Sequence, residues 1–323
     1  MRKVFIYLLM LCYAPILCAQ DAGTAFRFLQ LPASSHAAAL GGDNVSIIDA
    51  ETELSYHNPA LLTNVGEQML FLNYMSYLQR TNIMGAGYTT PVGERSMLAF
   101  KAQYLDFGTM KHTNAAGEIL GEFSAKDMVL MGTYSFDFSD RLTGGVSGKF
   151  IYSNYEQVYS LALGVDLGLN YYDPDTDFSA SLVFKNLGGQ VVTFEDTNEA
   201  MPMDIQLGFT KSLAHAPILL SATLVNLHRW RATDFYNADG SKDNFGQMLL
   251  KHIVLGADIL FGENFYASVG YNYRMSRELS TARGLTGFSI GAGLHVNKVK
   301  FSASFSRMHI SSSSLLFNIA YTL

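Results

Sequence analysis

From about residue 68 to its end, the chain alternates large apolar positions with small or polar ones at a period of two. The clearest stretch runs from Tyr159 to Tyr171. Tyr159, Leu161, Leu163, Val165, Leu167, Leu169 and Tyr171 are separated by Ser160, Ala162, Gly164, Asp166, Gly168 and Asn170. Successive side chains of a strand point to opposite faces, so one face is wholly apolar and the other small or polar. A helix would scatter the same residues around its circumference. The pattern recurs in Ile253, Leu255, Ala257, Ile259 and Phe261, in Phe265, Ala267, Val269, Tyr271 and Tyr273, and in Phe288, Ile290, Ala292, Leu294 and Val296. Segments of this kind predict about fourteen strands, starting near residues 68, 82, 96, 124, 142, 157, 178, 203, 218, 251, 265, 286, 299 and 314.

The connections between these segments alternate in length. Those after even-numbered strands are short: Pro91 to Arg95, Ser139 to Arg141, Asp173 to Asp177, Leu213 to Pro217, Gly262 to Asn264, and Asn297-Lys298. Several after odd-numbered strands are longer, notably Gly108 to Phe123, Gly188 to Pro202, Leu227 to Leu250 and Met275 to Leu285. Outer-membrane barrels have short periplasmic turns and long outer loops, so both barrel ends are expected in the periplasm and the long loops outside. Aromatic residues fall at the strand ends, as interfacial girdles would require. Phe138, Tyr171, Phe178, Phe261, Phe265 and Tyr321 lie near the short turns, and Tyr104, Tyr152, Tyr159 and Tyr273 near the long loops.

Composition decides what surrounds the apolar face. Only 15% of the 323 residues are charged while 49% are hydrophobic, against the roughly 25% charged usual in soluble domains. A soluble β-sandwich would carry polar residues on the outside of each strand, and here the second face is rich in glycine and serine instead. After residue 20 no apolar run approaches the roughly 18 residues of a membrane helix. A closed barrel is the other structure that satisfies its backbone in lipid, so the fold class is all-β, a transmembrane antiparallel barrel of about fourteen strands. The net charge of −6 argues against a nucleic-acid partner; the expected surroundings are outer-membrane lipid. Residues 1–20, with Arg2 and Lys3 before an apolar stretch and Cys18-Ala19-Gln20 at its end, read as a cleaved signal peptide. Both cysteines, Cys12 and Cys18, lie within it, leaving the mature chain without disulfides or thiolate chemistry.

Residues 21–67 do not fit the strand pattern. Ser34 to Leu40 reads as a short capped helix ended by Gly41 and Gly42, and Asn58, Pro59 and Ala60 open a second short helical turn. A fourteen-strand barrel is wide enough to need filling or to conduct, so the segment is expected as a plug in the periplasmic mouth. Lys149, Asp166, Lys185, Asp258, His295 and Lys300 point inward by the alternation. They are expected to pin the plug rather than to set ion preference.

Catalytic chemistry finds no support. The eight histidines are far apart, no His-Glu-x-x-His exists, and no lysine stands three residues after a serine, so no catalytic residue, metal site or cofactor is expected. For a partner surface, the longest outer connection offers Arg229, Trp230, Arg231, Phe235 and Tyr236, residue types enriched in binding hot spots and including the single tryptophan.

Ala39-Leu40-Gly41-Gly42-Asp43-Asn44, followed by His57-Asn58-Pro59-Ala60-Leu61-Leu62 ahead of the strand pattern, resembles the FadL-like outer-membrane barrels that include the PorV and PorQ proteins of type IX secretion. Phe28 to Pro32, Phe123 to Asp127, Val165 to Asp173, Lys185 to Gln190 and Leu213 to Pro217 make the PorQ-like members the better match. The resemblance covers nearly the whole mature chain. It implies a non-enzymatic barrel that anchors a PorZ-like surface protein, with a PorU-like sortase and a PorV-like barrel in one attachment complex that delivers cargo to lipopolysaccharide. The competing implication is a FadL-like transporter of hydrophobic small molecules. An inward kink or break in a strand next to the plug would favour transport, whereas a tightly filled lumen and apolar exposed outer loops would favour scaffolding.

Overall fold

The structure, a computed structural model, describes residues 24–78, 81–114, 116–194, 198–231, 234–235, 237, 240, 242–262, 264–278, 286–307 and 313–323. The signal segment, the first three residues of the plug segment and Tyr236 lie outside the described residues. Fourteen strands close into one antiparallel barrel in which each pairs with its chain neighbours and β1 closes on β14. They are β1 Met69–Leu78, β2 Thr81–Pro91, β3 Ser96–Thr113, β4 Ile119–Ser139, β5 Leu142–Tyr155, β6 Val158–Asp173, β7 Phe178–Val192, β8 Asp204–Ser212, β9 Ile218–Leu224, β10 Ile253–Leu260, β11 Phe265–Asn272, β12 Phe288–Val296, β13 Val299–Ser306 and β14 Ser314–Thr322.

Closure leaves no first or last strand, and the apolar face of each strand is turned outward. Leu163, Val165, Leu167 and Leu169 of β6 are exposed, whereas Ala162 and Asp166, on the alternate positions, are buried. The same inversion holds for β14, where Leu315, Phe317, Ile319 and Tyr321 face out. The outer surface is thus a hydrocarbon-facing band of the kind membrane barrels carry. Aromatic pairs stand at its short-turn rim, with Phe136 against Phe138, Phe178 against Phe209 and Phe261 against Phe265. At the other rim, Tyr152 packs near Tyr159.

Two expectations about the connections are corrected. The stretch from Gly108 to Phe123 is not a long loop, because β3 and β4 continue to pair up to Thr113 and Ile119 and project as a ribbon beyond the neighbouring strands. Tyr273 does not extend β11. The strand ends at Asn272, whose side chain accepts the Met275 N–H, and Tyr273–Glu278 turns into a short helix.

Residues 24–67 run through the lumen. Thr24 bridges Ala200 in the β7–β8 connection, and Phe26 packs against Phe194 there, so the segment starts at the long-loop end. It then descends through a 3-10 turn (Arg27–Gln30), helix α1 (Ser35–Ala39) and 3-10 helices Thr52–Tyr56 and Pro59–Val65, and enters β1 at the short-turn end. Ser34 caps α1 by accepting the Ala37 N–H at 3.2 Å, and Asn58 caps the last turn by accepting the Ala60 N–H at 2.9 Å. The expectation of a plug confined to one mouth is therefore corrected: the segment is long enough, with few regular hydrogen bonds of its own, to trace the whole depth of the lumen. Its Phe26, Phe28, Tyr56 and Leu62 join Phe71, Met131, Leu105 and Ile151 of the wall in a buried core.

Candidate functional site

The plug approaches the wall where the wall has glycine. A Cβ on Gly145 of β5 would overlap the backbone of Pro59 and Ala60, one on Gly168 of β6 the side chains of Asn58 and Pro59, and one on Gly270 of β11 the backbone of Leu40 and Gly41. Gly41 and Gly42 hold φ near +105° and +101°, a region open to glycine and rarely to other residues, which turns the chain away from α1 along β10 and β11. Asn58 also donates to the Val45 carbonyl at 2.8 Å, tying two plug segments together.

The inward charges occupy the seam between plug and wall. Lys149 and Asp166 are buried and lie 2.6 Å apart, and Lys149 also donates to the Asn186 side chain at 2.7 Å. Contrary to the expectation that all six charges pair with the plug, these two pair with each other, because β5 and β6 are adjacent and their inward positions meet. Lys185 lies 3.8 Å from Asp43 of the plug, Asp258 accepts from His36 of α1 at 3.2 Å, and Lys300 donates to the Ala50 carbonyl at 2.6 Å. His295 sits half-buried opposite Lys300 in the β12–β13 register, near the short-turn rim.

Lys101 of β3 was not singled out from sequence. It is buried, donates to the Ser55 hydroxyl at 2.9 Å and lies 4.3 Å over the Tyr56 ring. Its position on the inward face of β3, beside Gln103, was the available signal. His57 of the plug, whose ring nitrogens make no hydrogen bond, is pushed down to about 3 by burial and by the nearby Lys185, and is neutral at physiological pH.

A bulge in the wall, with a stretch of β7 above it that lacks a β8 partner, lies beside this cluster. Between Val165–Leu187 and Leu167–Phe184 the β6–β7 register shifts, so that β7 carries one extra residue. Asn186 takes up the bulge with φ 56°, in the left-handed region. Its N–H donates to Asp166 at 2.7 Å and its side-chain amide to the Pro202 carbonyl at 2.9 Å. On the other side, the β7–β8 ladder stops at Lys185–Asp204 while β7 continues to Val192. Along that upper stretch β7 has no β8 partner, and the returning connection covers it through Glu199, whose N–H donates to the Gln190 side chain at 2.7 Å, and through Met201, which lies against Gly164.

Beside the bulge is a cavity of about 240 Å³. Leu31, Pro202 and Val225 give it apolar walls, and Lys185, Asp204 and Arg274 give it charge. The plug forms its floor. The partner residues proposed from sequence are elsewhere, on the β9–β10 connection, where Trp230 and Phe235 both pack on the His252 ring at 4.3 and 5.2 Å. Trp230 remains 43% exposed, Arg231 is exposed, and Arg229 donates to the neighbouring His228 ring.

No family model matches the chain, and no curated protein does. Solved structures do. The chain is similar to the toluene transporter TodX of P. putida, with a TM-score of 0.59 at 10% identity over 91% of this chain and 99% of that one. A TodX monoaromatic hydrocarbon channel with the deltaS2S3 mutation gives 0.60 at 10% identity over 90% and 98%, and a Pseudomonas aeruginosa FadL homologue 0.52 at 9% identity over 90% and 98%. The fold is that of the FadL-like outer-membrane barrels. At these identities the likeness concerns the fold alone.

Proposed function

We propose that the protein admits small hydrophobic molecules across the outer membrane, with its short turns in the periplasm, its long loops outside and the plug as the gate. The observation that carries this reading is the bulge in β7 at Asn186 with the stretch above it that lacks a β8 partner, beside the plug and a cavity lined by both wall and plug residues. A molecule dissolved in the outer leaflet would enter through the stretch of wall covered by residues 198–203 rather than by a strand. The cavity's mixture of apolar walls and charge suits compact molecules with a polar end, and its 240 Å³ is small for a long acyl chain. The fold neighbours named for toluene and monoaromatic hydrocarbons agree with that size. Removing Asn186 would restore the β6–β7 register between Val165–Leu187 and Leu167–Phe184 and take away the bulge that this reading places beside the entry. In proteoliposomes, the wild-type barrel should take up radiolabelled toluene faster than empty vesicles, and the Asn186 deletion should fall to the background rate while still folding. Equal uptake by both proteins would overturn the reading.

A second reading keeps the barrel as an anchor for a PorZ-like surface protein, with PorU-like and PorV-like partners. It is favoured by helix α2 (Phe245–Lys251) at the long-loop end, where Phe245 is 74% exposed and Leu249 and Leu250 are exposed beside it. Native isolation in mild detergent tests it. Large surface proteins should accompany the wild-type barrel and be lost from a Phe245→Ser/Leu249→Ser variant; recovery of a lone barrel would end this reading.

A further inference from the structure

Near the short-turn end, three carboxylates converge on one buried imidazole. His36, 3% exposed, directs Nε2 to Asp258 of β10 at 3.2 Å, and Asp258 accepts in turn from the Ser268 hydroxyl. The other ring nitrogen, Nδ1, makes no hydrogen bond. It faces Asp49 Oδ2 at 3.5 Å and Glu51 Oε1 at 3.6 Å, and the three ligand atoms lie within 4.8 Å of one another. Glu51 accepts from the Tyr266 hydroxyl at 2.7 Å, and the Tyr266 ring stacks on His36 at 4.0 Å, so the imidazole is held from two sides. Lys300, the nearby cation, donates to the Ala50 carbonyl.

For a neutral ring this arrangement is unfavourable. With the Nε2 proton given to Asp258, the Nδ1 lone pair faces two anionic oxygens. With a proton on Nδ1 instead, a charge-assisted hydrogen bond would draw one oxygen to about 2.7–2.9 Å, and neither oxygen is there. Separations of 3.5 and 3.6 Å match the edges of a tetrahedron of ligands about 2.0–2.2 Å from a zinc ion. The histidine that donates its second nitrogen to a carboxylate is also the usual support of a metal-bound imidazole.

We infer that His36 Nδ1, Asp49 and Glu51 bind one divalent transition-metal ion, with zinc the best fit, water completing its coordination, and Asp258 and Tyr266 orienting the ligands. Asp49 is partly exposed, which gives the ion a route in from the short-turn end. The ion joins α1 to the segment before the Thr52–Tyr56 turn and holds both against β10 and β11, making it a clasp on the plug. The site itself does not depend on the transport reading.

The test uses the untagged full-length barrel, stripped with a chelator and titrated with zinc chloride by calorimetry, with bound metal counted by mass spectrometry. The wild type should take up one equivalent. Asp49→Asn and Glu51→Gln, which keep the side-chain shapes, should each weaken binding by more than about tenfold, and Asp258→Asn should weaken it by about 10–100-fold with the ligand set intact. If a ligand variant fails to fold, zinc-edge X-ray absorption on the wild type replaces it, and one imidazole with oxygen neighbours is the expected first shell. A stripped wild type that takes up no zinc, variants that bind it undiminished, or a first shell without imidazole would each overturn the assignment.

Discussion

Asp166 of β6 accepts the backbone N–H of Asn186 in β7 at 2.7 Å, so a side chain supplies the ladder hydrogen bond that the bulge removes. The same carboxylate holds Lys149 at 2.6 Å. One buried group thus stabilises both the bulge in the wall and the charge beside it.

Asp166→Leu should leave the Lys149 ammonium buried with only the Asn186 amide as partner, at a cost of about 3–5 kcal/mol. The double change Asp166→Leu/Lys149→Met removes both charges and should recover most of that loss. Urea unfolding followed by fluorescence of Trp230 reads both, and a double variant as unstable as the single one would show that the pair is not the source of the stability.

Glycines of the same strand separate plug packing from wall packing. Gly145→Val collides with Pro59 and Ala60, whereas a Cβ on Gly148 meets nothing within 4 Å. The barrel should form in both variants, because both leave the strand ladder intact. In planar bilayers Gly145→Val should conduct through a displaced plug and Gly148→Val should stay as closed as the wild type. Equal conductance would mean that the plug does not seal at this contact.

His57 sets a pH dependence whose sign is fixed by its depression to about 3. The unfolded chain binds a proton on this ring below its ordinary value near 6.5, while the folded chain stays neutral down to about 3. Stability from this group is therefore full above about 6.5 and falls by about 1.4 kcal/mol per pH unit as the pH drops toward 3. His57→Met should remove that slope. Comparing the two proteins at pH 7, 5.5 and 4.5 isolates it from the carboxylates they share, and parallel curves would place the proton elsewhere.

The membrane barrel was legible in the chain because lipid imposes a local rule. Every strand must carry apolar side chains at alternate positions and every backbone group must pair, so the fourteen segments and their turns appear in order along the sequence, from Met69 to Thr322. Gly41, Gly42, Asn58 and Pro59 were likewise visible, since caps and left-handed turns depend on the residue that makes them. The ribbon at Thr113 and Ile119 escaped because its residues leave the apolar band and lose the strict alternation.

Which distant residues meet depends on how the closed barrel packs. Asp166 and Asn186 are brought together by a register shift in one strand pair, and no periodicity records a single extra residue when polar and small side chains surround it. His36, Asp49, Glu51 and Asp258 come from two plug segments and a wall strand, so the histidine spacings that exclude a helical metal motif say nothing about a site assembled across a lumen. The wall is written locally along the chain, because each strand answers separately to lipid on one side. The plug's path, the bulge and the buried charge pairs answer to one another through close packing inside a closed cylinder, and those constraints exist only once the cylinder has closed.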